Sequence, residues 1–84
     1  MPRLHISADA RERMEERGVT ESELVGAVDA GERFPARLGR TWFRRNYPFR
    51  SRWRGRRFKT KQVEVLAIEE EGAWVVITVV TRYF

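Results

Sequence analysis

Residues 58–84 read FKTKQVEVLAIEEEGAWVVITVVTRYF, and this stretch decides the fold. Two runs rich in Val, Ile, Thr and aromatic residues flank Glu-Glu-Glu-Gly, a composition typical of two strands joined by a turn. We therefore predict strands at 58–69 and 73–84 that pair as a long antiparallel hairpin. A two-residue turn at Glu71-Gly72 suits this hairpin, because glycine accepts the left-handed backbone that such turns require.

The turn also predicts which side chains share a face of the hairpin. One face would hold apolar residues that can meet helices: Val63, Val65, Ala67, Trp74, Val76 and Val80. The other face would group Gln62, Glu64, Thr81 and Tyr83. A slip of one residue in the pairing would redistribute these neighbours.

Two helices are predicted before the strands. Ser7 is placed to cap a helix over residues 8–17, and Gly18 is placed to end it in the left-handed conformation. Asp9, Arg13 and Arg17 recur every four residues along one stripe, where Asp9 can pair with Arg13. The sequence Thr-Glu-Ser-Glu at 20–23 is a capping box that begins a second helix, which continues to Gly31.

The middle of the chain adds shorter strands. Residues 32–38 predict an edge strand, because Pro35 interrupts the segment, and residues 41–47 predict a further strand. Residues 48–55 are expected to form a loop. We therefore predict a single α+β domain over residues 1–84, with two N-terminal helices packed on a three- or four-stranded antiparallel sheet.

Composition limits the class of protein. The chain has 84 residues, 42% of them hydrophobic, and no cysteine. One modest core fits this length, without disulfides or thiolate metal ligands. The first 14 residues lack the apolar core of a signal peptide, and no run approaches the length of a membrane span. We expect a cytoplasmic bacterial protein without a membrane partner.

Positive charge is concentrated in one segment. The net charge is +5, yet residues 40–62 hold ten Lys or Arg and no acid, interleaved with aromatic residues. Arginines bind phosphates and exposed rings stack on unpaired bases, so we expect one concave wall that binds RNA. The alternatives are a plain basic surface and an anionic protein partner. The predicted nucleic-acid-binding residues are Arg44, Arg45, Arg50, Arg52, Trp53, Arg54, Arg56, Arg57, Lys59 and Lys61.

No metal or nucleotide cofactor is expected, because one His and scattered carboxylates lack metal-ligand spacing and the phosphate-binding motifs are absent. RNA can be cut without either. Its 2′-hydroxyl attacks the adjacent phosphorus when a base removes the proton and when cations and an acid assist. The candidates are His5, the cations Arg13, Arg17 and Arg45, and the proton carriers Lys61, Glu64 and Tyr83. Each can also be an ordinary surface, ion-pair or cross-strand residue.

The chain resembles family 4258 of small bacterial domains of unknown function. The resemblance rests on SADARERMEERGV at 7–19, FRRN at 43–46, KQVEV at 61–65 and VVITVVTRYF at 75–84. In that family a His-Ala-x-x-Arg-Met-x-x-Arg-Gly-Ile pattern leads into a second helix. The resemblance implies a RelE-like or barnase-like ribonuclease fold, metal-independent RNA cleavage, and restraint by an antitoxin or immunity protein.

Carried over by position, Arg13 and Arg17 match the family's two arginines, and Lys61 matches its strand lysine. Asp9 stands where the family usually has histidine, and a carboxylate replaces imidazole as a near-neutral acid and base only after a large pKa shift. Three explanations are open: His5 substitutes, Asp9 is the base, or the chain binds without cutting, as an engineered inactive variant would. We expect an RNA-binding, toxin-like domain. Ribonuclease activity is favoured over a non-catalytic RNA- or protein-binding module and over a structural homodimer.

Overall fold

A computed structural model describes residues 3–84, and in it two helices pack against a five-stranded mixed sheet, an α+β architecture. The strands are β1 (Leu4–Ile6), β2 (Glu32–Pro35), β3 (Arg40–Trp53), β4 (Arg56–Glu70) and β5 (Ala73–Tyr83). The helices are α1 (Ala8–Arg17) and α2 (Glu21–Ala30). The order across the sheet is β1-β5-β4-β3-β2, in which β1 is parallel to β5 and all other neighbours are antiparallel.

Both helices begin and end as their sequences predict. The Ser7 hydroxyl accepts a hydrogen bond from the Ala10 backbone N–H, and Gly18 ends α1 with φ 69°. Thr20 and Glu23 form the reciprocal capping box at the start of α2. These caps satisfy N–H groups that would otherwise lack partners at each helix start.

The core lies between the helices and one face of the sheet. Its fully buried sheet residues include Phe43, Val63, Val65, Val76 and Val79. The helices contribute Ala10, Met14, Leu24, Ala27 and Val28. The alternation along β4 is regular, with odd-numbered residues from 61 to 67 buried and even-numbered ones partly exposed, because only one face is covered.

The hairpin turn at Glu71-Gly72 is confirmed, with φ 50° and 79° at its two residues. The predicted faces are correct only as far as Val76. The pairing then shifts, since Leu66 pairs with Thr78 whereas Ala67 pairs with Val76, which leaves Ile77 as an extra residue. Such a bulge exchanges the two faces of the strand beyond it.

Because of the bulge, Val80, Thr81 and Tyr83 lie on the opposite face of β5 from the one predicted. Val79, rather than Val80, enters the core opposite Val65. Thr81 and Tyr83 lie on the helix-facing side, opposite Val63 and Lys61. They therefore do not share a face with Gln62 and Glu64, as the regular alternation predicts.

Three further differences concern the strands. The sheet has five strands rather than three or four, and it is mixed, because three residues ahead of α1 add β1 at the edge beside β5. The expected loop at 48–55 belongs mostly to β3, which pairs with β4 as far as Trp53 and Arg56. The predicted strand at 32–38 ends at Pro35 and is followed by a short 3-10 turn.

No helix among residues 3–84 is long and apolar enough to cross a membrane.

Gly18 offers a test of how the tip of the β3–β4 hairpin packs on the helices. A Cβ atom at Gly18 would lie 2.7 Å from the Trp53 ring, whereas one at Gly39, which also has a positive φ, would meet nothing within 4 Å. We expect Gly39→Ala to cost about 1 kcal/mol of unfolding free energy for its left-handed backbone alone. Gly18→Ala should cost about 1 kcal/mol more than that because of the clash. Urea unfolding measures both losses, and equal losses would show that Trp53 does not pack on Gly18.

Candidate functional site

Most of the predicted cations lie on the outer part of the β3–β4 hairpin. We call residues 49–59 the hairpin tip. Its six basic side chains are all exposed: Arg50, Arg52, Arg54, Arg56, Arg57 and Lys59. The ion pairs found within residues 3–84 involve none of these six. Their positive charge is therefore available to an external anion.

The cations do not form the single wall that the sequence suggests. Along the tip, Arg52 pairs with Arg57 on one face of a two-stranded ribbon, while Trp53 and Arg56 lie on the other. The hairpin tip, which we also call the arm, is thus narrow and carries positive charge on both faces.

Three predicted nucleic-acid-binding residues are placed elsewhere. Arg44 faces away from the helices, where its guanidinium lies 3.5 Å from the Glu32 carboxylate. Arg45 lies on the helix side and donates to the Gly26 carbonyl at 3.2 Å. Lys61 is only 5% exposed. The ion pair of Arg44 and the burial of Lys61 remove these two from the free cationic surface. Arg45 stays exposed on the helix side, and the ion pairs within residues 3–84 do not involve it.

An aromatic cluster holds the hairpin tip against β5. The ring of Trp53 stacks on the ring of Tyr83, with centroids 5.0 Å apart and an interplanar angle of 16°. Phe49 meets the same tyrosine edge to face at 5.0 Å, and Phe58 lies 5.7 Å from it. The Arg54 guanidinium lies 5.5 Å above the Trp53 ring. Tyr83 reaches this cluster because of the bulge in β5.

A polar cluster lies directly beneath the aromatic cluster. The Lys61 ammonium donates to the Gly18 carbonyl, and it also contacts the Glu23 carboxylate at 2.7 Å. The same carboxylate oxygen accepts the Thr20 backbone N–H at 2.9 Å, and the Tyr47 hydroxyl donates to the Glu23 carbonyl at 2.8 Å. Glu23 and Tyr47 are absent from the sequence-based site. The capping box indicates the local role of Glu23, but no local pattern predicts a contact 38 positions along the chain.

Arg17 and Tyr83 complete the polar cluster. The Arg17 guanidinium donates to the Val79 carbonyl, while the Arg17 carbonyl accepts hydrogen bonds from the Tyr83 hydroxyl at 3.3 Å and the Thr81 hydroxyl at 3.1 Å. Burial, together with the negative charge of Glu23, raises the pKa of Tyr83 above its usual value. Burial likewise raises the pKa of Tyr47. Both hydroxyls are therefore protonated near neutral pH and act as hydrogen-bond donors.

The structure brings together Lys61 and Tyr83, with the ammonium 6.0 Å from the ring centroid, and adds the backbone carbonyl of Arg17, whose guanidinium lies instead at the Val79 carbonyl. The other predicted catalytic residues lie elsewhere. His5 pairs with Val75 on the sheet face away from the helices, near the opposite end of β5 from Tyr83. Glu64 lies on that same outer face and contacts Arg82 at 3.0 Å.

The two remaining candidates lie on α1. Asp9 is exposed in the first turn, two turns away from Arg17. Arg13 does not pair with Asp9 as predicted, because it contacts Glu16 at 2.5 Å and Glu12 at 3.7 Å. Across residues 3–84, no three His, Cys, Asp or Glu side chains are grouped closely enough to hold a metal ion.

One open cleft lies at the base of the hairpin tip. It has a volume of about 520 Å³ and is lined by Arg50, Arg57, Phe58 and Lys59. A second bulge shapes it, since the β3–β4 pairing jumps from Pro48–Thr60 to Ser51–Phe58. Two residues of β3, Phe49 and Arg50, therefore lie opposite a single residue of β4, Lys59. Arg50 has φ 46°.

The Lys61–Glu23 pair should couple strongly when it is tested by a double-mutant cycle. Lys61→Met leaves the Glu23 carboxylate and the Gly18 carbonyl without their partner, whereas Glu23→Gln keeps an acceptor for the Thr20 N–H. We expect each single change to cost about 2 kcal/mol of unfolding free energy and the coupling to be about 1–2 kcal/mol. The exposed Arg82–Glu64 pair is the control, changed to Met and Gln, with an expected coupling below about 1 kcal/mol. A Lys61–Glu23 coupling no larger than the control would contradict a structural role for the buried pair.

Comparison with known proteins gives one match. The family model described as "Domain of unknown function (DUF4258)" matches residues 6–81, which include both helices, the hairpin tip and the polar cluster apart from Tyr83. No curated protein and no solved structure matches the chain significantly. Since the family model covers nearly the whole sequence, this chain belongs to the DUF4258 family.

Proposed function

We propose that this protein is an RNA-binding domain of the RelE-like toxin type, and that its hairpin tip holds the RNA backbone. One observation carries the proposal: six exposed cations lie on one arm, and none is paired with a carboxylate within the described part of the chain. A polyanion gains from every such charge, because each contact releases counterions.

The chemistry of the arm favours RNA over a simple anion. Five of its six cations are arginines, whose planar guanidinium groups bind phosphate oxygens in pairs and stack on bases. The partly exposed Trp53 ring stacks on Tyr83 and lies under the Arg54 guanidinium, and an unpaired base can extend this stack by lying on the guanidinium. Because the ribbon is narrow and charged on both faces, a looped or single strand can wrap around it, which a rigid duplex cannot do as readily.

Metal-independent cleavage is the second candidate, favoured by the position of Lys61 and Tyr83 next to one another and to the arm. In this reaction the 2′-oxygen forms a bond to phosphorus and the bond to the 5′-oxygen breaks, which leaves a 2′,3′-cyclic phosphate and a 5′-hydroxyl. Lys61 would stabilise the phosphorane, joined by Arg17 if its guanidinium leaves the Val79 carbonyl, and Glu23 would take the 2′ proton. The Tyr83 hydroxyl, protonated near neutral pH, would donate to the leaving oxygen.

Cleavage makes a stricter demand on the site than binding does. The Lys61 ammonium is buried between Gly18 and Glu23, so a phosphate must displace one of these contacts to reach it. His5 and Glu64 lie on the opposite face and take no part in the proposed reaction. An acidic protein that covers the arm would restrain either activity.

Binding is tested with a labelled single-stranded RNA at several salt concentrations. We expect the log of affinity to fall linearly with the log of salt concentration, with a slope of about −0.7 for each phosphate neutralised. The double change Arg52→Gln with Arg54→Gln should make the slope shallower by about 1.4. Arg11→Gln with Arg37→Gln removes the same charge away from the arm and should leave the slope unchanged. Retention of polyglutamate but not of RNA at low salt would instead identify an anionic protein partner.

Cleavage is tested on the same RNA in the presence of EDTA. We expect a product with a 2′,3′-cyclic phosphate, and Tyr83→Phe should lower the rate about 100-fold because the proton donor is lost. His5→Ala and Glu64→Gln should change the rate less than twofold. A protein that binds RNA but forms no cyclic phosphate above the Tyr83→Phe background would be the non-catalytic module.

A further inference from the structure

The cleft at the base of the arm has the size and lining of a small-molecule site. Its volume of about 520 Å³ falls within the range of about 300–1,000 Å³ that is usual for ligand pockets. Arg50, Arg57 and Lys59 supply three positive charges, and no acid lines the cleft. Phe58 also lines it, and its ring contacts Tyr83 and the Arg56 guanidinium, each at 5.7 Å. A ligand that combines an anionic group with a flat apolar group fits this lining.

The backbone at Arg50 gives a second reason to regard the cleft as a binding site. Its φ of 46° lies in the left-handed region, which costs an L-residue about 1–2 kcal/mol and which glycine adopts without that cost. A bulky cationic residue held there is less stable than the glycine that the bulge would accept. Leu38, Arg54 and Glu71 have a similar φ at turns, whereas Arg50 adopts it inside a strand, at the bulge beside the cleft. Backbone strain away from a turn is often found at functional positions.

The bulge sets the arrangement of the three cations. Because Arg50 is the second of two β3 residues that lie opposite Lys59, it approaches that lysine from across the ribbon instead of following the regular alternation. Arg57 lies two positions before Lys59 on the same face of β4. The Lys59 backbone N–H donates to the Phe84 carbonyl at 3.1 Å, which fixes the base of the cleft.

We propose that this cleft is a subsite for one unpaired nucleotide, with its phosphate among Arg50, Arg57 and Lys59 and its base against Phe58. The inference rests on the proposed RNA binding and makes it specific. A base paired within a duplex cannot turn towards Phe58, so the cleft selects single-stranded or looped RNA. A phosphate without a base fills only the cationic part of the site.

Three small probes test the subsite directly: a nucleoside 5′-monophosphate, the corresponding nucleoside, and inorganic phosphate. Titrations followed by NMR chemical shifts measure weak binding and locate it in the sequence. We expect the monophosphate to bind at least tenfold more tightly than either the nucleoside or inorganic phosphate. The largest shifts should occur at residues that line the cleft.

Two variants separate the phosphate contact from the base contact. Arg50→Gly should weaken monophosphate binding at least fivefold while the melting temperature stays the same or rises, because the left-handed strain is relieved. Phe58→Leu should remove the tenfold preference for the monophosphate over inorganic phosphate and leave phosphate binding unchanged. Arg37→Gln, a charge-matched control outside the arm, should alter neither affinity.

The outcomes distinguish this inference from the broader proposal. If single-stranded RNA binds with a steep salt dependence but the monophosphate binds no better than inorganic phosphate, the subsite is refuted and RNA binding stands. If neither RNA nor the monophosphate binds, both proposals fail. If Arg50→Gly lowers stability and leaves monophosphate affinity unchanged, Arg50 has a structural role and the subsite is refuted.

Discussion

The arrangement of the helices over the sheet depends on one buried cation. Lys61 enters the protein from β4 and binds the carbonyl of Gly18, where α1 ends, and the carboxylate of Glu23, where α2 begins. Removing an ammonium group from water is costly, and the cost is offset only when its partners are held in place. The short connection between the helices is therefore attached to the middle of the sheet at one point. Tyr83 and Trp53 pack around that same connection.

Most features with a local cause could be predicted from the sequence. The caps of both helices and the Glu71-Gly72 turn each depend on residues within a few positions of one another. The faces of β5 could not be predicted beyond Ile77, because a single inserted residue exchanges them and no sequence pattern marks it. β1 could not be predicted from sequence patterns either, because its three residues pair with residues of β5 about 70 positions later in the chain.

The same difference between local and long-range causes applies to the candidate site. The concentration of positive charge could be predicted, and the six exposed cations of the arm are among the predicted residues, but the sequence suggested a loop and one concave wall instead of a two-stranded ribbon. The acid and base candidates were chosen by chemical type, so the outer-face positions of His5 and Glu64 could not be foreseen. Lys61 resembles the surrounding cations in the sequence and differs only in being buried. The contacts of Tyr83 with Phe49, Trp53 and Phe58 then give the arm a fixed base, so that its arginines lie on a preorganised ribbon instead of a free loop.

The parallel edge strand has a consequence for how the chain folds. Within residues 3–84, the strand that pairs with β1 is β5, and both helices and three other strands lie between the two in the sequence. Closing so long a loop costs conformational entropy, and few contacts offset that cost until the rest of the sheet has formed. Contacts between residues so far apart in the sequence therefore form slowly. During synthesis, Leu4 and Ile6 have no strand partner until Trp74 and Val76 have been made. Final docking of this edge becomes a late event on the folding pathway.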